Sequence, residues 1–174
     1  MEQLQYPIGK YIEQPFSPKQ LDEWLLDIQT LPMHVENAIL NVDEFELETP
    51  YRPGGWTKKQ VVHHIADSHM NAYIRFKLAL TEENPTIKPY DENAWAQLPD
   101  TKILPINISI TLLFSLHIRL YELLKNISHQ DWSRTVFHPE QQKKMSIWYL
   151  LGMYAWHGKH HVAHLKINTT LPNS

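Results

Sequence analysis

Hydrophobic residues recur at intervals of three and four along four long stretches of the chain, and this spacing predicts amphipathic helices. The first stretch runs from Ser17 to about Asn41, with Ser17 as the N-cap and Pro18 at the first helical position. Its periodicity continues past Pro32, where a proline should break or kink the helix. The first stretch therefore predicts one long helix with an interruption near its middle.

Three further helices are predicted, with Thr57 and Ser146 as the N-caps of the first and the last of them. They run from Thr57 to about Leu80, from about Asn107 to Ile127, and from Ile147 to about residue 168. A long loop from Glu82 to about Ile106 separates the second and third helices, and a short strand pair is predicted near Thr135. Four long helices with little strand signal predict an all-α four-helix bundle. We expect a single domain over residues 1–174, preceded by an extended N-terminal arm at 1–16.

Composition narrows the class of protein. At 174 residues, with 43% hydrophobic and 20% charged residues, the chain suits one globular domain. A net charge of -3 gives no reason to expect a nucleic-acid partner, and no apolar run is long enough to span a membrane. No signal peptide is apparent. The chain has no cysteine, which excludes disulfides, a thiol nucleophile and cysteine-ligated zinc, so we expect a cytoplasmic protein.

Histidine is abundant, with eleven in the chain, and four of them crowd into the last predicted helix. His157 and His161 lie one turn apart, near the middle of the apolar stripe of that helix. His164 lies at the edge of the stripe and His160 further towards solvent. A buried imidazole needs partners for its nitrogens, so two on one core-facing stripe indicate a His-x-x-x-His metal site.

A second group of histidines lies in the helix that follows Thr57. His64 is on the flank of its apolar stripe, on the same face as Ser68, Asn71 and Arg75, and is the best placed to reach across the bundle. His69 lies on the apolar stripe, where we predict a hydrogen-bonded core histidine. His63 points to the opposite side, which predicts a surface residue. Any one of these histidines alone would more often be structural than metal-binding.

Three histidines without cysteine are typical of a catalytic metal site, because structural zinc is normally closed by four protein ligands. Zinc, nickel, copper and iron all suit imidazole ligands. The open position would activate water, by lowering its pKa towards about 7, or would hold a thiol as its thiolate. The residues alone leave both chemistries open. They also leave open a non-catalytic protein whose metal is closed by a fourth ligand, such as His164 or His63, and a binding dimer with a vestigial site.

Several longer motifs resemble a known family. They are Tyr-Pro-Ile-Gly at 6–9, Thr-Pro-Tyr-Arg-Pro-Gly-Gly-Trp-Thr at 49–57, Val-Val-His-His-Ile-Ala-Asp-Ser-His-Met-Asn at 61–71, Tyr-Ile-Arg-Phe-Lys-Leu-Ala-Leu-Thr-Glu-Glu at 73–83, Pro-Tyr-Asp-Glu-Asn-Ala-Trp at 89–95 and Tyr-Ala-Trp-His-Gly-Lys-His-His-Val-Ala-His at 154–164. Together they resemble the YfiT-like branch of the DinB superfamily over nearly the whole chain, most weakly from about 100 to 145.

The resemblance implies a four-helix bundle that holds one divalent metal ion per subunit, zinc or nickel. Carried onto this sequence, the family's three ligands are His64, His157 and His161, the trio that the helix geometry also favours. The implied activity is that of a metal-dependent hydrolase acting on a small molecule. The wider superfamily contains thiol S-transferases that use bacillithiol, mycothiol or glutathione, which gives the alternative activity. The resemblance also implies a cytoplasmic homodimer.

Overall fold

The computed structural model describes residues 2–167. In chain order its helices and strands are α1 (Glu2–Gln5), α2 (Pro18–Ile39), α3 (Glu44–Leu47), α4 (Lys58–Thr81), α5 (Glu92–Trp95), α6 (Pro99–Ile103), α7 (Ile106–Lys125), β1 (Thr135–His138), β2 (Lys143–Ser146) and α8 (Ile147–Leu165).

The four long helices form a bundle in which α2 and α4 each pack against both α7 and α8. This confirms the predicted all-α four-helix bundle. β1 and β2 form the predicted strand pair, an antiparallel hairpin in which Thr135 pairs with Ser146. The hairpin runs directly into α8, and the Ser146 hydroxyl caps that helix by accepting a hydrogen bond from the Tyr149 amide at 3.0 Å. No helix within residues 2–167 is long and apolar enough to cross a membrane.

The predicted boundaries of the long helices hold within about two residues, apart from the end of the last one. α8 ends at Leu165, whereas its predicted end near residue 168 lies outside the described residues. The loop predicted between the second and third long helices contains two short helices, α5 and α6. The N-terminal arm begins with the single turn of α1 and has no helix or strand from Gly9 to Phe16, so the prediction of a wholly extended arm was too simple.

Pro32 does not divide the first long helix, because α2 continues through it to Ile39. A proline has no amide hydrogen, so the Ile28 carbonyl four residues earlier has no helical donor. The ring of His117, on the neighbouring α7, fills that role by donating from Nδ1 to the Ile28 oxygen at 2.5 Å. α2 thus remains one continuous helix, while its Ile28 carbonyl accepts a hydrogen bond from a side chain of α7.

The core consists of two hydrophobic clusters, one towards each end of the bundle. Along α4, residues 61–66 belong to one cluster and residues 72–79 to the other, and α8 divides in the same way between 147–155 and 162–165. Between the clusters the helices present imidazoles to one another, namely His64, His69, His117, His157 and His161. A layer of histidines therefore crosses the bundle near its middle.

Candidate metal centre

Three histidines from two helices converge in this layer. His64 on α4 and the pair His157 and His161 on α8 each offer a ring nitrogen, and these atoms all lie within 4.8 Å of one another. The Nε2 atoms of His64 and His157 are 3.2 Å apart. Two ligands bound at about 2.0–2.1 Å to a tetrahedral ion would lie about 3.3 Å apart, so this separation fits a shared divalent metal.

The three rings are neutral near pH 7, which is the form that a metal requires. The pKa of His64 is lowered to about 4, chiefly by removal from water and then by the neighbouring His160 and His164. The pKa values of His157 and His161 are well below the usual range, again chiefly because of burial and then because of the other imidazoles. Their lone pairs are therefore free of protons at neutral pH.

His164 fixes the tautomer of His161 through a short chain of hydrogen bonds. Nε2 of His164 lies 3.2 Å from the Gln5 carbonyl oxygen, which can only accept, so that nitrogen carries the hydrogen. In the neutral ring Nδ1 is then an acceptor, and it lies 3.3 Å from Nδ1 of His161, which must donate. This leaves the Nε2 lone pair of His161 free for a metal, in the way that outer hydrogen bonds commonly orient metal-binding histidines.

His160, His161 and His164 form a second group whose ring nitrogens come within 4.8 Å of one another. Both nitrogens of His164 are engaged by Gln5 and His161, so this group lacks three free lone pairs. His160 stacks on Trp156 with 4.6 Å between ring centroids. His160 and His164 are 7% and 2% exposed, so the prediction that His160 lies towards solvent was wrong, and His164, predicted at the edge of the apolar stripe, is buried as well. Packing of the N-terminal arm on α8 covers them, through Tyr6 and Gln5.

His63 is also buried, at 5% exposure, which corrects the prediction of a surface residue. Its Nε2 donates to the Leu104 carbonyl at 3.3 Å and its Nδ1 accepts from the Ser109 hydroxyl at 2.7 Å. It points away from His64, as the helix geometry predicted, but towards the start of α7 rather than towards water. Since both nitrogens are engaged there, His63 is not available as a fourth ligand.

His69 is fully buried, as predicted, but neither of its nitrogens has a hydrogen-bond partner among the described residues. The buried location of His69 is confirmed, whereas its predicted hydrogen bonds are not present among the described residues. Nε2 of His117 and Nδ1 of His157 are likewise buried without a partner. Each such atom costs about 1–3 kcal/mol, so four of them together approach the whole stability of a domain this size.

The segment between α3 and α4 places aromatic rings over the histidines. Gly54 has a φ of +69°, and the tight turn that it permits brings the Tyr51 amide to the Trp56 carbonyl at 3.1 Å. The Trp56 ring lies 4.6 Å from the ring of His64, and Tyr51 stacks on His164 at 4.1 Å. Neither aromatic was predicted as a site residue, because their distance along the chain from α8 hides the contact.

A cavity of about 380 Å³ opens directly onto all three candidate ligands. Its wall combines the Tyr51–Trp56 turn, the N-terminal arm and α5, with Arg52 and Glu92 as its charged groups. A second cavity, of about 390 Å³, also borders His157, and Ser68, Arg75 and Tyr90 line it. His157 and Glu92 line both. Of the residues placed on the His64 face by sequence, Ser68 and Arg75 reach a cavity, whereas Asn71 instead donates to the Asp67 carbonyl.

Known proteins provide an independent comparison. Residues 28–165 match the sequence profile of the DinB superfamily. The chain is 50% identical over 167 residues, and 95% of both chains, to a Bacillus cereus strain B4264 protein named "putative metal-dependent hydrolase". A Bacillus anthracis protein with the same name matches at the same identity and coverage.

Two solved structures share the fold. YfiT from Bacillus subtilis, described as a "probable metal-dependent hydrolase with an unusual four-helix bundle topology", superposes with a TM-score of 0.91 at 45% identity, covering 94% of each chain. A mycothiol-dependent maleylpyruvate isomerase superposes with a TM-score of 0.66 at 21% identity, covering 84% of this chain and 61% of that one. The chain therefore belongs to the DinB superfamily, in its YfiT-like branch.

Proposed function

We propose that this protein is a metal-dependent hydrolase in which His64, His157 and His161 hold one divalent ion, zinc or nickel. The observation that carries the proposal is the convergence of three neutral imidazoles, within 4.8 Å, on the wall of a 380 Å³ cavity. The name shared by the Bacillus relatives supports the metal dependence. A bound ion with an open position lowers the pKa of a coordinated water towards about 7 and so supplies a nucleophile at neutral pH.

The chain's own groups position this chemistry. His164 and the Gln5 carbonyl hold the His161 ring with Nε2 free. Trp56 packs against His64, with 4.6 Å between ring centroids, and lines the same cavity. Because His63 and His164 use both of their nitrogens elsewhere, a fourth protein ligand from either is not expected, and the open coordination position remains for water or substrate.

Thiol S-transfer is the second candidate, and one observation favours it. The two cavities of about 380 and 390 Å³ both border His157, which would give a thiol and an electrophile separate spaces beside the same ligand. A hydrolase needs room for one substrate and water. A divalent ion would hold the thiol as its reactive thiolate.

The first experiment measures metal content. Purified protein should contain about one divalent ion per chain by elemental analysis, and His157→Ala should lose it because two ligands hold a metal more weakly than three. His63→Ala is the matched control, since it removes a buried histidine from α4 without removing a candidate ligand. Wild-type protein that binds no divalent ion, or His157→Ala that binds it as tightly as wild type, would contradict the proposal.

A second experiment separates the two chemistries. Metal-loaded protein is assayed with chromogenic esters and amides, and separately with a low-molecular-weight thiol and a fluorogenic electrophile. Metal-dependent ester or amide cleavage that is absent in His157→Ala supports the hydrolase. Metal-dependent acceleration of thiol conjugation without any hydrolysis would contradict the hydrolase and support the transferase.

A further inference from the structure

Three rings lie in a row from α8 through α4 to α7, beginning at the candidate ligand His157 and continuing to His69 and His117, which do not line the 380 Å³ cavity. His69 is in the middle, with 5.6 Å between its ring centroid and that of His157, and 4.9 Å to that of His117. Four nitrogens in this row are buried and unpartnered, both of His69 and one from each neighbour. Buried polar atoms in folded proteins are almost always paired, so this row requires an explanation.

The direction of hydrogen bonding in the row is set at its far end. Pro32 leaves the Ile28 carbonyl without a helical donor, and Nδ1 of His117 lies 2.5 Å from that oxygen. A carbonyl accepts and never donates, so Nδ1 of His117 carries the hydrogen. In a neutral imidazole the other nitrogen is then an acceptor. Nε2 of His117, one of the four unpartnered atoms, therefore needs a donor.

His69 is the neighbour that can supply that donor. Two imidazoles joined by an in-line N–H···N bond of about 2.9 Å have ring centroids roughly 5 Å apart, close to the two distances in the row. A neutral His69 has one N–H group and one lone pair. If His69 donates its N–H group to Nε2 of His117, its lone pair can accept the hydrogen on Nδ1 of His157. The four unpartnered atoms then form two donor–acceptor pairs with none left over.

We propose that His69 is a positioning residue that, with His117, fixes the tautomer of His157 by a hydrogen-bonded chain anchored on the Ile28 carbonyl. None of these atoms has a direct hydrogen bond among the described residues, so each link closes by a small rotation of the His69 ring or through a bridging water molecule. With the hydrogen of His157 on Nδ1, its Nε2 lone pair faces Nε2 of His64, where the metal is proposed to bind. The proposal rests on that metal site, and it gives His157 the same kind of support that His164 and Gln5 give His161.

The first test reads the tautomers directly in protein whose histidines carry ¹⁵N. In two-dimensional NMR spectra we expect the hydrogen of His117 on Nδ1 in metal-free and zinc-loaded protein alike, and that of His157 on Nδ1 in the loaded protein. A hydrogen on Nε2 of His117 overturns the chain. The His117 result does not require metal binding, so failure of the chain is distinguishable from failure of the proposed function.

The second test uses zinc affinity, measured by competition with a chromogenic chelator. Loss of an outer hydrogen-bond partner typically weakens metal binding by about 10–100-fold, which is the expectation for His69→Leu. His69→Gln, which keeps a donor and an acceptor, should recover affinity to within about threefold of wild type. His63→Leu is the matched control, because it removes a buried histidine of the same helix that bonds elsewhere, and its affinity should stay near wild type.

Affinity of His69→Leu within about threefold of wild type overturns the proposal, as does a failure of His69→Gln to recover it. A purely structural role for His69 would lower the stability of His69→Leu and His63→Leu alike and leave zinc affinity unchanged in both. If His69→Leu does not fold, the tautomer of His157 in the metal-free wild-type protein decides the matter, since a hydrogen on its Nε2 overturns the proposal.

Discussion

Substituting His117 by glutamine and by leucine separates the hydrogen bond of this residue from its ionisation. Its Nδ1 is the donor to the carbonyl that Pro32 leaves free in α2. Glutamine can still donate a hydrogen bond but cannot take up a proton, whereas leucine can do neither. At pH 7.5, where the ring is neutral in the folded and unfolded chains, we expect His117→Leu to be less stable than His117→Gln by about 1–3 kcal/mol, the cost of a buried unpaired carbonyl.

The pH dependence follows from the ionisation. Burial lowers the pKa of His117 in the folded protein to about 4, from a usual value near 6.5 in the unfolded chain. The unfolded state therefore binds more protons between these values, and stability that is complete above pH 6.5 is lost as the pH falls towards 4. At about 1.4 kcal/mol per pH unit, lowering the pH to 5 removes roughly 2 kcal/mol from the wild type on account of this residue.

Urea unfolding of chelator-treated protein at pH 7.5 and pH 5 is the assay. The other buried histidines are common to all three proteins, so their titration cancels in the comparison, except for His69, whose pKa His117 helps to lower. The stability difference between wild type and either variant should shift by about 2 kcal/mol in favour of the variant at pH 5. A difference that is the same at both pH values would refute the argument that His117 is held neutral. Equal stability of the two variants at pH 7.5 would refute the role of the Ile28 carbonyl.

Three further substitutions or treatments test the packing and the site. Glu46→Gln should destabilise the protein by about 1–3 kcal/mol in urea unfolding, because Lys58, only 2% exposed, loses its charged partner; an unchanged unfolding midpoint would contradict this. Gly152→Ala should cost about 1–3 kcal/mol in the same assay, because an added Cβ would lie 2.5 Å from the Trp24 ring, and a neutral effect would show that the ring can move. Zinc at 100 times its dissociation constant should stabilise wild type by about 2.7 kcal/mol in thermal unfolding, with no such gain in His157→Ala.

Sequence periodicity was sufficient to predict where the long helices lie and which of their side chains share a face. Caps at Ser17, Thr57 and Ser146 marked helix starts correctly, because an N-cap hydrogen bond involves residues only three apart. The spacing of His157 and His161 likewise predicted that both rings face the core. These are local properties of a helix, which explains why they can be read from the chain.

The predictions from sequence failed where a histidine contacts a segment that is distant along the chain. His63 and His164 lie on helix faces that sequence alone assigns to the exterior or to a margin, yet the segment before α7 buries one and the N-terminal arm buries the other. A helix wheel gives the direction of a side chain relative to its own axis, but not which other segment lies in that direction. Trp56, over His64, escaped prediction for the same reason.

The sequence by itself determined a four-helix bundle with a pair of histidines one turn apart on a core-facing stripe, because helical periodicity and capping are local. Helix geometry also favoured His64 as the residue best placed to reach across the bundle, and the resemblance to a family implied the same trio. Only the tertiary structure decided that α4 brings His64 to within 3.2 Å of His157 and that Pro32 frees a carbonyl for His117. Contacts between helices depend on how their side chains interlock across the bundle, which no local pattern specifies.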